Sequence, residues 1–151
     1  MKLRPATPED HDAVVAIFKE AFREYTRATG RAPGRYPWLP AALSAGEIFW
    51  LDVQSETVGA TWLAFKGGGL GLEMLAIDPS HQKAGHGTAA LAVIEAHAHA
   101  HEARFITLYT QTRRNHLVAF YSRHGFRVWK VGPPPHGRDD LLRVHMTKTL
   151  S

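Results

Sequence analysis

The chain has 151 residues, 44% of them hydrophobic, which suits a single domain over residues 1–151 with a substantial core. It contains no cysteine, which excludes a disulfide framework and thiol chemistry of its own, and no run approaches the ~18 apolar residues of a membrane span. A formal charge of +4 favours anionic partners, but the Lys and Arg residues are scattered and no nucleic-acid motif appears, so a multiply phosphorylated small molecule is favoured over nucleic acid.

Met1 to Pro5 lacks the apolar segment of a secretion signal, so the expected location is the cytoplasm. Lys2 to Pro5 reads as a first strand. Thr7-Pro8-Glu9-Asp10 is a helix start, with Thr7 as cap, proline in the first turn and acids at the positive end of the dipole. Val14, Ile17, Phe18, Ala21, Phe22 and Tyr25 then recur at helical spacing, and Gly30 is the expected stop. Residues 31–37 are rich in breakers, and Trp38 to Ser44 reads as a short second helix. Ile48–Val53 and Thr57–Phe65 form a hairpin turning at Gln54-Ser55-Glu56, and Lys66 to Gly69 turn into a strand over Leu70–Ile77. That strand is apolar apart from Glu73, as expected of a strand covered on both faces. Thr88 to Glu102 is a helix with Leu91, Ile94 and Ala98 on its buried stripe. Phe105–Thr110 is a strand, Leu117–His124 a helix, Phe126–Val131 a strand, and Leu141–Lys148 a last strand after a Pro-rich loop.

The segment Gln82-Lys83-Ala84-Gly85-His86-Gly87, between the Leu70–Ile77 strand and the helix at Thr88, carries the most chemical information. Gly85 and Gly87 let backbone approach a ligand closely, amide N–H groups at a helix start favour an anion, and Lys83 adds a cation. Together they describe a pyrophosphate seat. Gly85 to Ala90 also fits the G-x-G-x-x-A of a dinucleotide-binding unit, although Asp78 to Ala84 intervene between strand and glycine where that fold turns at once.

Gln-x-x-Gly-x-Gly after Ile77-Asp78-Pro79 resembles the acetyl-coenzyme A loop of the GNAT superfamily of N-acetyltransferases. A second segment, Ala119-Phe120-Tyr121-Ser122-Arg123-His124-Gly125-Phe126, is similar to that family's A-x-x-Y/F-Y-x-x-x-G-F, and Gly125 suits a helix stop on physical grounds alone. The order β-α-α-β-β-β-α-β-α-β-β is also that of the family. The resemblance implies an α/β single-domain GNAT fold, with a mixed, mostly antiparallel central sheet of six to seven strands flanked by helices on both faces. It implies acetyl transfer from acetyl-coenzyme A to a primary amine, on a small molecule or a peptide, by direct attack in a ternary complex. It implies neither a membrane nor a nucleic-acid partner, and leaves a homodimer open.

Carried onto this chain, the resemblance sets the pantetheine arm on the backbone of Leu75, Ala76 and Ile77, where the strand from Phe105 is expected to diverge, and the pyrophosphate on Gln82, Lys83, Ala84, Gly85, His86, Gly87 and Thr88. Asn115 stands six residues before Tyr121, one fewer than in many family members, and is a candidate cofactor contact. Tyr121 falls where the family has its general acid. A tyrosine near pKa 10 protonating a thiolate near 8.5 works about 1.5 units uphill, roughly 2 kcal/mol, so a hydrogen-bonding role is favoured over full transfer. Glu73, costly to bury unpaired, is the candidate proton acceptor beside solvent water. Tyr25, Tyr36 and Trp38 are candidates for an acceptor wall, with Arg27, Arg31 and Arg35 nearby.

His97 and His101 have the i, i+4 spacing of a metal pair, but no cysteine, HExxH pattern or third fixed ligand accompanies them, so a solvent-facing cluster and no metal are expected. Two rival functions share the same loop. A non-catalytic acyl-coenzyme A binding module predicts binding without turnover. A nucleotide-dependent oxidoreductase predicts stabilisation by nicotinamide dinucleotides.

Overall fold

The structure, a computed structural model, describes residues 1–23, 27, 36–81, 85–112, 114–135, 137 and 141–151. Seven strands and four α-helices occur among these: β1 Lys2–Pro5, α1 His11–Ala21, α2 Leu39–Ser44, β2 Ile48–Val53, β3 Glu56–Lys66, β4 Gly69–Ile77, α3 His86–Ala100, β5 Phe105–Gln111, α4 Asn115–Arg123, β6 Arg127–Gly132 and β7 Arg143–Thr149. Short 3-10 turns at Pro8–Asp10 and Pro79–His81 precede α1 and α3. The strands form one sheet in the order β1-β2-β3-β4-β5-β7-β6. Its pairings are antiparallel for β1–β2, β2–β3, β5–β7 and β6–β7, and parallel for β4–β5. The expected mixed α/β sheet is therefore present.

Several boundaries differ from the sequence expectation, each for a local reason. The first helix closes at Ala21, because Phe22 leaves helical geometry (φ −101°, ψ 11°) while its N–H still reaches the Phe18 carbonyl at 3.0 Å. Gly30 and Tyr25 lie outside the described residues. Helix α3 begins at His86, directly after Gly85, whose φ of +75° is incompatible with helix. Helix α4 begins at Asn115 because the N–H groups of Leu117 and Val118 both bond back to the Arg114 carbonyl.

The contacts divide the chain into two compact units, Met1–Leu63 with Met74–Ile94, and Ala64–Glu73 with Glu95–Ser151. In the first unit, alternation along the strands feeds two apolar clusters. Ile48, Trp50, Ala60, Trp62, Met74 and Ala76 pack with Val14, Phe18, Leu39, Ala42 and Leu43 of α1 and α2. Leu51, Val58, Leu75 and Ile77 pack with Ala90 and Val93 of α3. Helices thus cover both faces of this part of the sheet. The entry to α1 is closed by Thr7 and Asp10: the Thr7 N–H donates to the Asp10 carboxylate at 2.9 Å, and the Asp10 N–H donates to the Thr7 carbonyl at 2.8 Å.

In the second unit, β5, β7 and β6 make an antiparallel ladder, with a register irregularity between Val128 and Lys130. Leu108 opposes Met146, Tyr109 opposes His145, and Arg127 opposes Thr147. Lys148 Nζ donates to Glu95 of α3 at 2.9 Å, tying the C-terminal part of that helix to β7. Among the described helices none is long and apolar enough to cross a membrane.

Candidate functional site

The first unit holds the backbone of Leu75–Ile77 together with Gly85–Thr88; Gln82, Lys83 and Ala84 lie outside the described residues. One edge of β4 is fastened to β3. Thr61, fully buried, donates from Oγ1 to the Met74 carbonyl at 2.7 Å. The Asp78 N–H donates to the Val58 carbonyl at 2.8 Å. Gly59 sits so close to β4 that a Cβ there would fall 2.2 Å from the Ala76 carbonyl oxygen. This glycine is required by close approach, a role its place in a strand leaves unmarked in sequence.

After Ile77 the chain enters a rigid turn. The Asp78 carboxylate accepts from the Ser80 hydroxyl at 2.7 Å and the Ser80 N–H at 3.0 Å, and these bonds hold it below the usual carboxylate range. The His81 N–H closes on the Asp78 carbonyl at 2.8 Å, and the His81 ring meets Glu56 at 3.1 Å. Gly85 then takes its left-handed conformation with nothing within 4 Å of where a Cβ would stand. His86, Gly87 and Thr88 form the first turn of α3, at the positive end of its dipole. The arrangement suits an anion at a helix start.

The second unit holds Glu73, Asn115 and Tyr121. Tyr121 lies in the last turn of α4, 8% exposed, edge-on to Phe120 and Phe126 at centroid distances of 5.2 and 5.6 Å. The helix stops as the position of Gly125 predicts. Gly125 has a φ of +90°, its N–H bonds to the Ser122 carbonyl, and the Phe126 N–H bonds to the Tyr121 carbonyl. Burial pushes the Tyr121 phenol up to about 12, with Arg114 pulling weakly the other way. Protonating a thiolate near 8.5 from there is uphill by about 3.5 units, roughly 5 kcal/mol, so this phenol is suited to donating a hydrogen bond and poorly suited to giving up its proton. Asn115 is exposed as the first residue of α4.

Two expectations about side-chain environment need correction. Glu73 is exposed and not buried within the strand; a Cβ on Gly71 would fall 2.5 Å from its carboxylate, which places Glu73 on the same strand face as Gly71. Tyr36 is only 9% exposed and packs as core, its ring 5.5 Å from Phe18 and 5.9 Å from Trp38, with a backbone φ of +50°. Trp38 is half-buried and stacks on Trp62 at 3.9 Å with a 9° interplanar angle, while the Trp62 Nε1–H donates to Glu47 at 3.1 Å. These aromatics form one cluster, with Tyr36 beneath the surface.

His97 and His101 approach to 4.4 Å between ring centroids, both against Phe65. Burial holds the His97 ring below the usual imidazole range, and His101 adds to the effect, so this pair packs partly as a hydrophobic contact. Sequence reading missed Thr61, Gly59 and His145. The last is buried at 8% exposure on β7 with Nε2 unpartnered. Its place between apolar Val144 and Met146 was the available signal.

Comparison with solved structures finds the same fold repeatedly. An acetyltransferase of Thermus thermophilus superposes with a TM-score of 0.78 at 22% identity, covering 99% of this chain and 96% of that one. The paia N-acetyltransferase of Thermoplasma acidophilum, solved with coenzyme A, gives 0.75 at 17% identity, covering 99% and 98%. A GNAT family acetyltransferase of Elizabethkingia anophelis with acetyl-CoA bound gives 0.66 at 16% identity, covering 76% and 83%. Comparison with curated proteins returns no match. The sequence model of the acetyltransferase (GNAT) family matches residues 12–126, so this chain, with its glycine-opened α3 and its mixed seven-stranded sheet, belongs to that family of acyltransferases.

Proposed function

We propose that the protein moves an acetyl group from acetyl-coenzyme A to a primary amine by direct attack in a ternary complex. The observation that carries this reading is Gly85, left-handed and open on its Cβ side, set between the rigid Asp78–His81 turn and the first turn of α3. Segment Gln82–Thr88 would hold the pyrophosphate, and the backbone of Leu75, Ala76 and Ile77 would take the pantetheine arm as an added strand. Similar proteins solved with coenzyme A or acetyl-CoA support the donor's identity. Asn115 would add a hydrogen bond to the donor.

In the transfer, the amine must first lose a proton, since an alkylammonium near pKa 10.4 has no lone pair. Exposed Glu73 would receive that proton directly or pass it to water. The amine nitrogen then attacks the acetyl carbonyl, the C–N bond forms, the C–S bond breaks, and the thiolate leaves. Tyr121 would donate a hydrogen bond to that thiolate, and the proton that finally neutralises it would come from the amine side. Tyr25 and Trp38 would border the acceptor, with Tyr36 supporting Trp38 from beneath.

Calorimetry with coenzyme A and thiol-release assays over an amine panel test this reading. Saturable binding with turnover of at least one amine is expected. Binding without turnover across a broad panel would leave an acyl-coenzyme A binding module instead, and absence of binding would overturn the assignment of the donor site.

A further inference from the structure

One face of the β5–β7–β6 ladder carries a cleft that uses none of the residues assigned above to the donor or to the leaving thiolate. Thr107 opposes Thr147, and Thr147 opposes Arg127, so these three stand in one row across the face. Phe105 and Thr149 form the adjacent pair on the same face. Alternation from Arg127 puts Trp129 on it as well, 58% exposed and edge-on to His145 at 5.7 Å. A cavity of about 520 Å³ opens there, within the range of small-molecule sites.

Its floor is aromatic and its charge is of one sign. The Phe105 ring is seated on the backbone of β4, because Gly69 offers no Cβ; one would fall 2.1 Å from the ring. Arg104 is anchored on both backbone sides, its N–H to the Gly68 carbonyl and its carbonyl from the Leu150 N–H, each at 2.9 Å. Its guanidinium lies over Gly68, where a Cβ would stand 2.6 Å from Nη2. Among the described residues neither Arg104 nor Arg127 pairs with a carboxylate, and no acidic side chain lines the cleft. Two guanidinium groups with no counter-charge recognise a carboxylate, and exposed Trp129 with Phe105 offers flat apolar surface that a bare inorganic anion would leave unused.

We propose that this cleft binds a small planar aromatic carboxylate, its carboxylate shared by Arg104 and Arg127 and its ring laid against Trp129 and Phe105. The chemistry has two sources, the amine acceptor itself or a separate effector without an amine.

Titration calorimetry of the full chain with indole-3-propionate, against the uncharged indole-3-propionamide, tests the site without any acyl donor. A failure here therefore stands apart from a failure of acetyl transfer. The acid is expected to bind saturably and about tenfold more tightly than the amide, with Arg127→Gln and Arg104→Gln each weakening it about tenfold. Arg127→Lys should recover part of the loss, since charge remains while the fork is gone. Equal binding of acid and amide, no binding of either, or an acid affinity untouched in folded Arg127→Gln would overturn the proposal. With turnover measured, a lower KM for tryptophan than for tryptamine, lost in Arg127→Gln, makes the carboxylate part of the acceptor. Binding of indole-3-propionate that leaves the KM for tryptamine unchanged assigns it to an effector. Either result keeps the anion in the cleft.

Discussion

Thr61 on β3 donates its hydroxyl to the carbonyl of Met74 on β4 at 2.7 Å, from a position with no solvent exposure. A side chain thus clamps the strand whose next three residues are proposed to carry the acyl donor. Thr61→Val keeps the shape and removes this bond to the Met74 carbonyl, which should cost about 1–2 kcal/mol in urea denaturation. Thr61→Ser should restore most of that loss. Equal stability of the parent and the valine variant would show that the clamp carries no energy.

Tyr121→Phe should lower turnover on the order of a hundredfold, as expected for loss of one donor to developing charge, and leave coenzyme A affinity nearly unchanged. Because the Tyr121 phenol is pushed up to about 12, it should contribute no limb to the pH–rate profile below about pH 10. The same shift sets a stability slope. The phenol stays protonated in the fold where the unfolded chain ionises, so stability should fall between about pH 10 and about pH 12, and Tyr121→Phe should flatten that fall. A wild-type rate in the variant would remove Tyr121 from the chemistry.

Gly85→Val forces a β-branched residue into a φ of +75°, which should cost about 1–2 kcal/mol, and crowds the side on which the donor's phosphates would sit. Gly137→Ala is the matched control, since Gly137 has a φ of +66° and equally open space. Both variants should lose stability, and only Gly85→Val should weaken coenzyme A binding by calorimetry. Equal affinities in both would place the phosphates elsewhere.

His145 is expected to make the fold less stable in acid. Burial first, then Lys130 and Arg143, hold its ring below the usual imidazole range, against an opposing backbone hydrogen bond at Pro133. Pro133 has only a carbonyl to offer and Nε2 is unpartnered, so Nδ1 carries the proton and donates. The folded pKa is depressed, so the stability linked to this group is present above about pH 6.5 and is lost as pH falls through the folded value. Denaturation midpoints of the parent should therefore drop between about pH 7.5 and about pH 5.5. His145→Phe should drop less over the same interval, and parallel curves would show that another group, such as His97, sets the slope.

The order of elements, the presence of a helix after the Gly85–Gly87 segment, the stop at Gly125 and the aromatic end of α4 were legible in the residues. Each depends on backbone conformation within a few neighbours, which local side chains dictate. The length of α1 was not legible, because the apolar period continues past Ala21 while Phe22 leaves the helix. The depth of Tyr36 and the exposure of Glu73 were misjudged, since hydropathy does not say which residues a neighbouring strand or ring will cover.

By itself, the sequence determined which segments are strands and helices and where helices start and stop, since periodicity, glycine and helix capping act over short range. Only the tertiary structure decided that Thr61 fastens β4, that Gly59 admits the Ala76 carbonyl, and that Arg104 and Arg127 share a cleft. Those relations join residues distant in sequence, and strand register, which no local pattern encodes, sets who faces whom.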